Sequence, residues 1–442
     1  MELKRELGLF SAVLIIIADV IGTGIFMTTG GVLDMTGSAL VVLSLWALGG
    51  IVAITGSLSY AELSSIWPEN GGEYVYLKKI YGFLPSFLTG WISLVVGFSV
   101  SAAISSITAV DYFNKFFPTE FLCSGFGHKF AAAMIVVFFG TFHMVGVKKG
   151  TFLQNAFTIL KILIVFAFII FGFYMADWNN VSRLTETQKE TGSFLQYGTA
   201  LIIIMYAYSG WNGATYIAGE IKDPAKNLPR ALLLGTLFVT LIYLAINVIF
   251  LISTPGCDLA KESAVGALCA VNLFGKSIGP VFTACIALIL LSSVSVQMLI
   301  GPRVYHAMAK ERMIFHSLEK VHPKFGTPAL AIFIQMALTV IYIFIGKDNI
   351  FQLLIYLGFS LGVFPLMSVI GLVIYRFKNK NSGHSFKTPL FPLVPVIYII
   401  LSSGMMITSL ITNTKTSLTA LMVLVFGTCI FFIWQKIVKR NK

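Results

Sequence analysis

The fold of this protein is decided by a short stretch near the N-terminus, ADVIGTGIF (residues 18–26). It continues a run of isoleucines, Ile15–Ile17, that is typical of a membrane-spanning helix. Asp19, Gly22 and Gly24 then place a carboxylate and two helix-breaking residues inside this span. Backbone that leaves the helix at membrane depth is tolerated only where it is buried in protein or lines a water-filled cavity. The stretch therefore predicts a broken helix whose freed N–H and C=O groups can bind a ligand.

The composition predicts a chain that crosses the membrane many times. Of its 442 residues, 57% are hydrophobic and 11% are charged, whereas soluble domains carry about 25% charged residues. Twelve apolar spans are predicted, at 11–33, 38–67, 84–113, 129–147, 152–176, 194–218, 230–254, 267–302, 328–346, 349–375, 390–412 and 417–435. The predicted fold class is all-α, a polytopic membrane protein with twelve transmembrane helices in one domain over 1–442.

The basic residues are distributed unevenly between the connections. The net charge of +12 would by itself suit a nucleic-acid-binding protein. With the N-terminus in the cytoplasm, however, most of the 31 Lys and Arg residues fall in cytoplasmic connections. The charge therefore indicates orientation in the cell membrane, with both termini cytoplasmic, and no nucleic-acid partner is expected.

A second stretch, YAYSGWNGATY (residues 206–216), places Ser209, Gly210, Asn212 and Gly213 in the middle of the sixth span. It lies five spans after the first interrupted span. Matching interruptions in two halves indicate inverted repeats with a binding site at their interface. The candidate repeats and the two additional helices cover 11–176, 194–375 and 390–435.

Two facing helix breaks suit a zwitterion such as an amino acid. The N-terminus of a half-helix carries partial positive charge and attracts a carboxylate. Small residues in membrane helices also serve close packing, which is the preferred interpretation of Gly49-Gly50. Two broken spans in register favour a transporter instead of a channel, which usually needs charged rings or oligomeric symmetry. The cysteines and histidines show no metal-ligand spacing and no paired acids mark a reaction centre, so no enzyme, metal or other cofactor is predicted.

Several motifs resemble those of the amino acid–polyamine–organocation transporters, and in particular their L-type amino acid transporter branch. The matching segments are GTGIF (22–26), GGEYVY (71–76), Lys161 within QNAFTILK, AYSGWN (207–212), Glu220 and DPAKNLP (223–229). The resemblance implies the five-plus-five inverted-repeat fold with broken helices 1 and 6, also seen in sodium-coupled neurotransmitter transporters. It also implies sodium-independent amino acid transport, often by exchange; proton-coupled symport is the alternative.

The resemblance assigns substrate roles to both breaks. The backbone of residues 21–25 would bind the substrate carboxylate, and the backbone of Tyr206, Ala207 and Ser209 would receive the amino group. Tyr206 would be a bulky gate, and Asn212 and Tyr243 would be second-line polar contacts. The predicted substrate-binding residues are Ile21, Gly22, Thr23, Gly24, Ile25, Tyr206, Ala207, Ser209, Asn212 and Tyr243. Small neutral amino acids such as alanine, serine or cysteine are favoured, because Ser209 and the glycines leave room near the α-carbon.

Lys161 lies ten residues into the fifth predicted span, where a charge is rare and costly. The resemblance places this lysine where sodium-coupled relatives hold a sodium ion. Its ammonium group would connect the broken first helix to the eighth span, which offers Ser292, Ser293 and Ser295. The alternative is a side chain that extends to the membrane interface, which the depth of Lys161 disfavours.

Asp19 departs from the family pattern, in which a neutral residue is expected. Three interpretations stay open: an ion pair with Lys161, a proton-binding site for coupling, or a satisfied structural acid. Contact with a cationic substrate is less favoured, because no other acidic residue is predicted in the core. Glu62 is expected to be solvated at the interface, and Glu220 is expected to meet cytoplasmic Lys or Arg residues.

The expected partners are an amino acid substrate and the lipid bilayer. Animal L-type transporters join a heavy-chain glycoprotein through a cysteine in the loop after span 3. Glu120 occupies that position here and Cys123 lies three residues further on. A covalent heavy-chain partner is therefore not expected.

Overall fold

The structure is a computed structural model that describes residues 5–185, 192–262, 264–345, 350–379 and 386–440. These residues form helices and connecting segments, with one isolated bridge between Leu7 and Ile221 and no strand. The helices are α1 (Leu9–Val20), α2 (Thr23–Thr36), α3 (Ala39–Ile66), α4 (Glu73–Tyr81), α5 (Phe83–Ile92), α6 (Phe98–Phe116), α7 (Glu120–Cys123), α8 (Gly125–Met144), α9 (Val147–Met175), α10 (Phe194–Tyr208), α11 (Pro224–Ser253), α12 (Gly256–Leu259), α13 (Val265–Lys310), α14 (Ala329–Ile345), α15 (Ile350–Lys378), α16 (Leu393–Thr412) and α17 (Thr414–Arg440). The all-α class is confirmed.

Within the described part of the chain, ten helical segments are long and apolar enough to cross a membrane. In addition, α14 is an apolar helix of 17 residues, and the sixth predicted span is divided between α10 and a 3-10 helix, Gly213–Glu220. Large apolar side chains such as Phe138, Phe152 and Phe426 are exposed on the outer helices, where they suit contact with lipid. A multi-pass membrane protein is therefore confirmed, whereas the count of twelve spans stays a prediction.

The first predicted span is broken where the sequence indicated. Helix α1 ends at Val20 because Ile21 adopts an extended conformation (φ −72°, ψ 95°), and α2 begins at Thr23. No side chain caps the N-terminus of α2, so the first N–H groups of this helix lack intrahelical partners. They are available to an anion at the break.

The sixth predicted span is broken at residues 209–212. Helix α10 ends at Tyr208, and Gly210 has φ +102°, a conformation that other residues rarely adopt. The chain then continues as the 3-10 helix from Gly213. The span over 194–218, which the sequence predicts to be interrupted, is two helices separated by irregular backbone.

The broken segments lie at the centre of the helix bundle. Helix α1 packs against α9, α11 and α13, while α2 packs against α10. Around them, α11 packs on α3 and α13 on α6. The eighth predicted span, 267–302, is longer in the structure, because α13 runs from Val265 to Lys310 with a bend at Gly275. The bundle therefore surrounds both breaks with continuous helices.

Candidate substrate site

A cavity with about 1250 Å³ of empty space, including its open mouth, lies between the two breaks. Its walls also include residues of α6, α13, α15 and α16. The sequence-predicted residues that line it are Asp19, Gly22, Thr23, Gly24, Tyr206, Ala207, Ser209, Asn212 and Ser293. The others, Ile21, Ile25, Lys161, Tyr243 and Ser292, are not among the lining residues. The structure therefore brings most of the predicted site together around one space.

The two breaks are in direct contact. A Cβ atom on Gly24 would lie 2.4 Å from the Cβ of Ala207, so only glycine permits this approach of α2 to α10. Thr23 Oγ1 lies 3.2 Å from the hydroxyl of Tyr206. Behind them, the hydroxyl of Tyr243 donates to Val20 O (2.6 Å) and lies 2.9 Å from Ala207 O. Tyr243 thus connects the ends of both broken helices and does not face the cavity.

Lys161 is fully buried beside the first break. Its Nζ donates hydrogen bonds to Ala18 O at 2.9 Å, Ile21 O at 2.5 Å and Ser293 Oγ at 3.1 Å. Ser293 Oγ also donates to Ile21 O at 3.1 Å. The ammonium group therefore connects the broken helix to α13, as predicted for Ser293. Ser292 differs, because its hydroxyl is buried and has no hydrogen-bond partner among the described residues.

The side chain of Asp19 points away from Lys161 and toward the second break. Its Oδ2 would be 2.7 Å from a Cβ on Gly210 and 2.8 Å from a Cβ on Gly213. Among the described residues, its carboxylate makes no hydrogen bond or ion pair. The Nζ group of Lys161 donates its hydrogen bonds to the other acceptors given above. The direct Asp19–Lys161 ion pair, one of three interpretations of the sequence, is therefore not formed in this structure.

Glu73, at the first turn of α4, reaches the cavity from outside the spans. Its Oε1 accepts hydrogen bonds from Tyr60 at 3.1 Å and from the side-chain amide of Asn212. Burial raises the pKa of Glu73 above the usual range of a glutamate, against the effect of these hydrogen bonds. Asn212 is thus held by Glu73 and ties the second break to α4.

Sequence reasoning missed several polar residues that line the cavity, among them Glu73 and Gln297. The expectation that no other acid lies near Asp19 is therefore wrong. A signal for Glu73 was present, because this carboxylate stands inside the GGEYVY motif (71–76) next to two glycines. Gln297 lies in a long apolar helix with no local pattern that marks it, and only its position on α13 brings it to the cavity.

A buried ion pair and backbone hydrogen bonds join the N-terminal segment, the end of the second broken span and α13. Arg303 Nε donates to Glu220 Oε1 at 2.9 Å, and both side chains are at most 2% exposed. The N–H of Leu7 donates to Glu220 O at 2.9 Å, and the N–H of Lys222 donates to Leu7 O at 2.8 Å. The expected basic partner of Glu220 is therefore confirmed as Arg303.

Glu62 is a further correction. Instead of lying solvated at the interface, its side chain is buried. Its Oε2 accepts the backbone N–H of Thr388 at 2.7 Å and lies 3.5 Å from Nη1 of Arg376. The carboxylate can be buried because these groups replace the hydrogen bonds it would make with water. Neither group could be recognised as a partner from the local sequence.

The Arg303–Glu220 pair gives a stability prediction. We expect Arg303→Leu to strand a buried carboxylate and to destabilise the protein by about 3–5 kcal/mol. The double variant Arg303→Leu, Glu220→Leu should recover most of that loss, because an apolar replacement of a buried pair is often neutral. Thermal unfolding in detergent measures both.

The exposed pair Lys115–Glu262, with an N–O distance of 3.1 Å, provides the control. Lys115→Leu should change stability by at most about 1 kcal/mol. An Arg303→Leu variant no less stable than Lys115→Leu would contradict the role of the buried pair.

The chain is similar to known amino acid transporters. The profile of the amino acid permease family matches residues 7–434. The serine/threonine exchanger SteT of Bacillus subtilis (strain 168) is 30% identical over 440 residues, which is 98% of each chain. The b(0,+)-type amino acid transporter 1 of Mus musculus is 30% identical over 93% of this chain and 84% of its own. The large neutral amino acids transporter small subunit 2 of Mus musculus is 29% identical over 98% of this chain and 82% of its own.

These matches extend over the whole helix bundle and include both breaks. The resemblance indicated by the motifs is thereby confirmed, as is the expectation of a transporter and not an enzyme. The chain belongs to the amino acid permease family and is a multi-pass membrane transporter of amino acids.

Proposed function

We propose that this protein is a sodium-independent amino acid exchanger that works by alternating access. The observation that carries the proposal is the position of Lys161, whose ammonium donates to Ala18 O, Ile21 O and Ser293 Oγ. These oxygens, two carbonyls at the end of a half-helix and a hydroxyl of α13, are the kind of ligands that a sodium ion takes in broken-helix transporters. A fixed positive charge there replaces the ion, so the cycle needs no sodium.

The substrate would lie in the cavity between the breaks. Its carboxylate would accept from the uncapped N-terminus of α2 at Thr23 and Gly24. Its amino group would face the irregular backbone from Tyr206 to Ser209. Exchange is supported by the name of the Bacillus subtilis relative, a serine/threonine exchanger. The buried Arg303–Glu220 pair joins the second broken span to α13, so alternating access would require this pair to separate.

The proposal also includes the number of membrane spans, the orientation in the membrane and the absence of a heavy-chain partner. Twelve spans with five-plus-five repeats, over 11–176 and 194–375, are supported by the corresponding positions of the two breaks in the first helix of each half. The cell membrane with cytoplasmic termini is supported by the distribution of the 31 Lys and Arg residues. We also propose that no covalent heavy chain is needed, because Glu120 stands at the position of the linking cysteine.

Small neutral amino acids remain the substrates predicted from the sequence. Ser209 and the glycines of both breaks leave room near the substrate α-carbon, and Tyr206 narrows the cavity beside them.

The test is counterflow in proteoliposomes without sodium. Vesicles loaded with unlabelled amino acid should take up the labelled amino acid many times faster than empty vesicles, with equal rates in sodium and choline buffers. Uptake that requires sodium, or that is equal in loaded and empty vesicles, would contradict the proposal.

Proton-coupled symport is the second candidate, favoured by one observation. Asp19 places a carboxylate without a hydrogen-bond partner in the cavity. Such a group can bind and release a proton during transport. Under symport, an inward proton gradient would drive accumulation into empty vesicles, which exchange does not predict.

A further inference from the structure

The charges that line the cavity are of one sign. Asp19 and Glu73 both line it, and none of the described lining residues is Lys, Arg or His. Lys161, the nearest buried cation, is not among the lining residues and has its donors in use behind the first break. A zwitterionic substrate with a neutral side chain brings no net positive charge to these acidic groups, whereas a substrate with a second cationic group does.

Three hydrogen-bond acceptors in the cavity lack partners. The carboxylate of Asp19 makes no hydrogen bond with any described residue. Glu73 is 2% exposed and Gln297 is 8% exposed, yet Glu73 Oε2 and Gln297 Oε1 have no donor among the described residues. Buried acceptors without donors are rare in native proteins. Their presence around one cavity indicates a ligand that is rich in N–H donors.

Several backbone acceptors at the breaks are already engaged. Ala18 O and Ile21 O accept from Lys161, and Val20 O accepts from Tyr243. At the second break, Tyr206 O accepts the hydroxyl of Ser209 at 2.7 Å. The side-chain acceptors of Asp19, Glu73 and Gln297 are therefore available to a second cationic group of a ligand whose α-amino group faces the backbone of the second break.

We propose that the preferred substrates of this site are amino acids with a second, cationic group on the side chain, and that Asp19 is the residue that selects them. The inference rests on the proposed function and replaces small neutral amino acids as the preferred class. One ammonium or guanidinium group of the substrate binds the carboxylate of Asp19 beside Gly210 and Gly213. Glu73 and Gln297 supply further acceptors. The carboxylate of the substrate binds at α2, as for any amino acid.

The test compares two substrates on the same vesicles. Counterflow of labelled lysine and of labelled alanine is measured with wild type, Asp19→Asn and the control Asp34→Asn, which changes an exposed acid at the far end of α2. The ratio of the two kcat/KM values is independent of the amount of folded protein. We expect wild type to prefer lysine, and Asp19→Asn to lower the lysine-to-alanine ratio at least about tenfold, through a higher KM for lysine. Asp34→Asn should leave the ratio unchanged.

Some results would contradict the preference for cationic substrates and still leave amino acid exchange as the proposed function. Preference of wild type for alanine would do so, as would an unchanged ratio in Asp19→Asn. Proton uptake together with alanine that is lost in Asp19→Asn would assign the carboxylate to coupling instead. Absence of exchange with every amino acid would contradict the proposed function itself.

Discussion

Replacing Gly24 by leucine is expected to abolish amino acid transport while the protein still inserts in the membrane. The reason is steric, because even a Cβ atom at this position would lie 2.4 Å from the Cβ and 2.5 Å from the Cα of Ala207. A larger side chain must separate α2 from α10 and fill the space where the substrate carboxylate would meet the uncapped helix. Gly24→Ala should already reduce the initial rate severely.

The matched control is Gly404→Leu, in α16. Gly404 is exposed, and a Cβ there would meet nothing within 4 Å. This variant should transport at close to the wild-type rate. Initial counterflow rates, normalised to inserted protein, are the measurement. If Gly24→Leu inserts and transports normally, the substrate does not bind between the breaks.

Replacing Lys161 by methionine should reduce the initial transport rate at least about 100-fold, equivalent to about 2.7 kcal/mol. Methionine fills a similar volume but leaves Ala18 O without the Lys161 donor and leaves Ile21 O with Ser293 Oγ alone. A buried acceptor that loses its donor costs about 1–3 kcal/mol. The break would lose both its shape and its positive charge.

Sodium should not restore the activity of this variant, because the methionine side chain occupies the space of the ammonium group. Lys129→Met is the control, since Lys129 is a partly exposed lysine that donates to Phe344 O at 3.1 Å. It should retain transport. Full activity of Lys161→Met in choline buffer would remove the basis for sodium-independent exchange by this lysine.

The breaks could be predicted from sequence because their cause is local. Gly22 and Gly24 within an isoleucine-rich span, and Gly210 and Gly213 in the sixth, carry the conformational signal in the residues that break the helix. The depth of Lys161 in the membrane can also be predicted from local sequence, because it follows from the position of this residue along its apolar span. Its contact with Ser293 was recognised from the resemblance.

The polar contacts in and around the cavity could not be predicted from local sequence, because they join helices that are far apart along the chain. Glu73 meets Asn212 across 139 residues, and Glu62 meets the N–H of Thr388 across 326. The direction of a helical side chain decides such contacts, and a rotation of one residue changes it by about 100°. That rotation also explains why Ser293 contacts Lys161 while Ser292 does not, and why Asp19 faces the second break.

A structure of the protein with its substrate bound is the most direct test of substrate binding between the two breaks. We expect an amino acid there, with its carboxylate within hydrogen-bond distance of the N–H groups of Thr23 and Gly24 and with Lys161 Nζ still bound to Ile21 O. A substrate bound outside this cavity, or a sodium ion in place of the Lys161 ammonium group, would contradict this expectation.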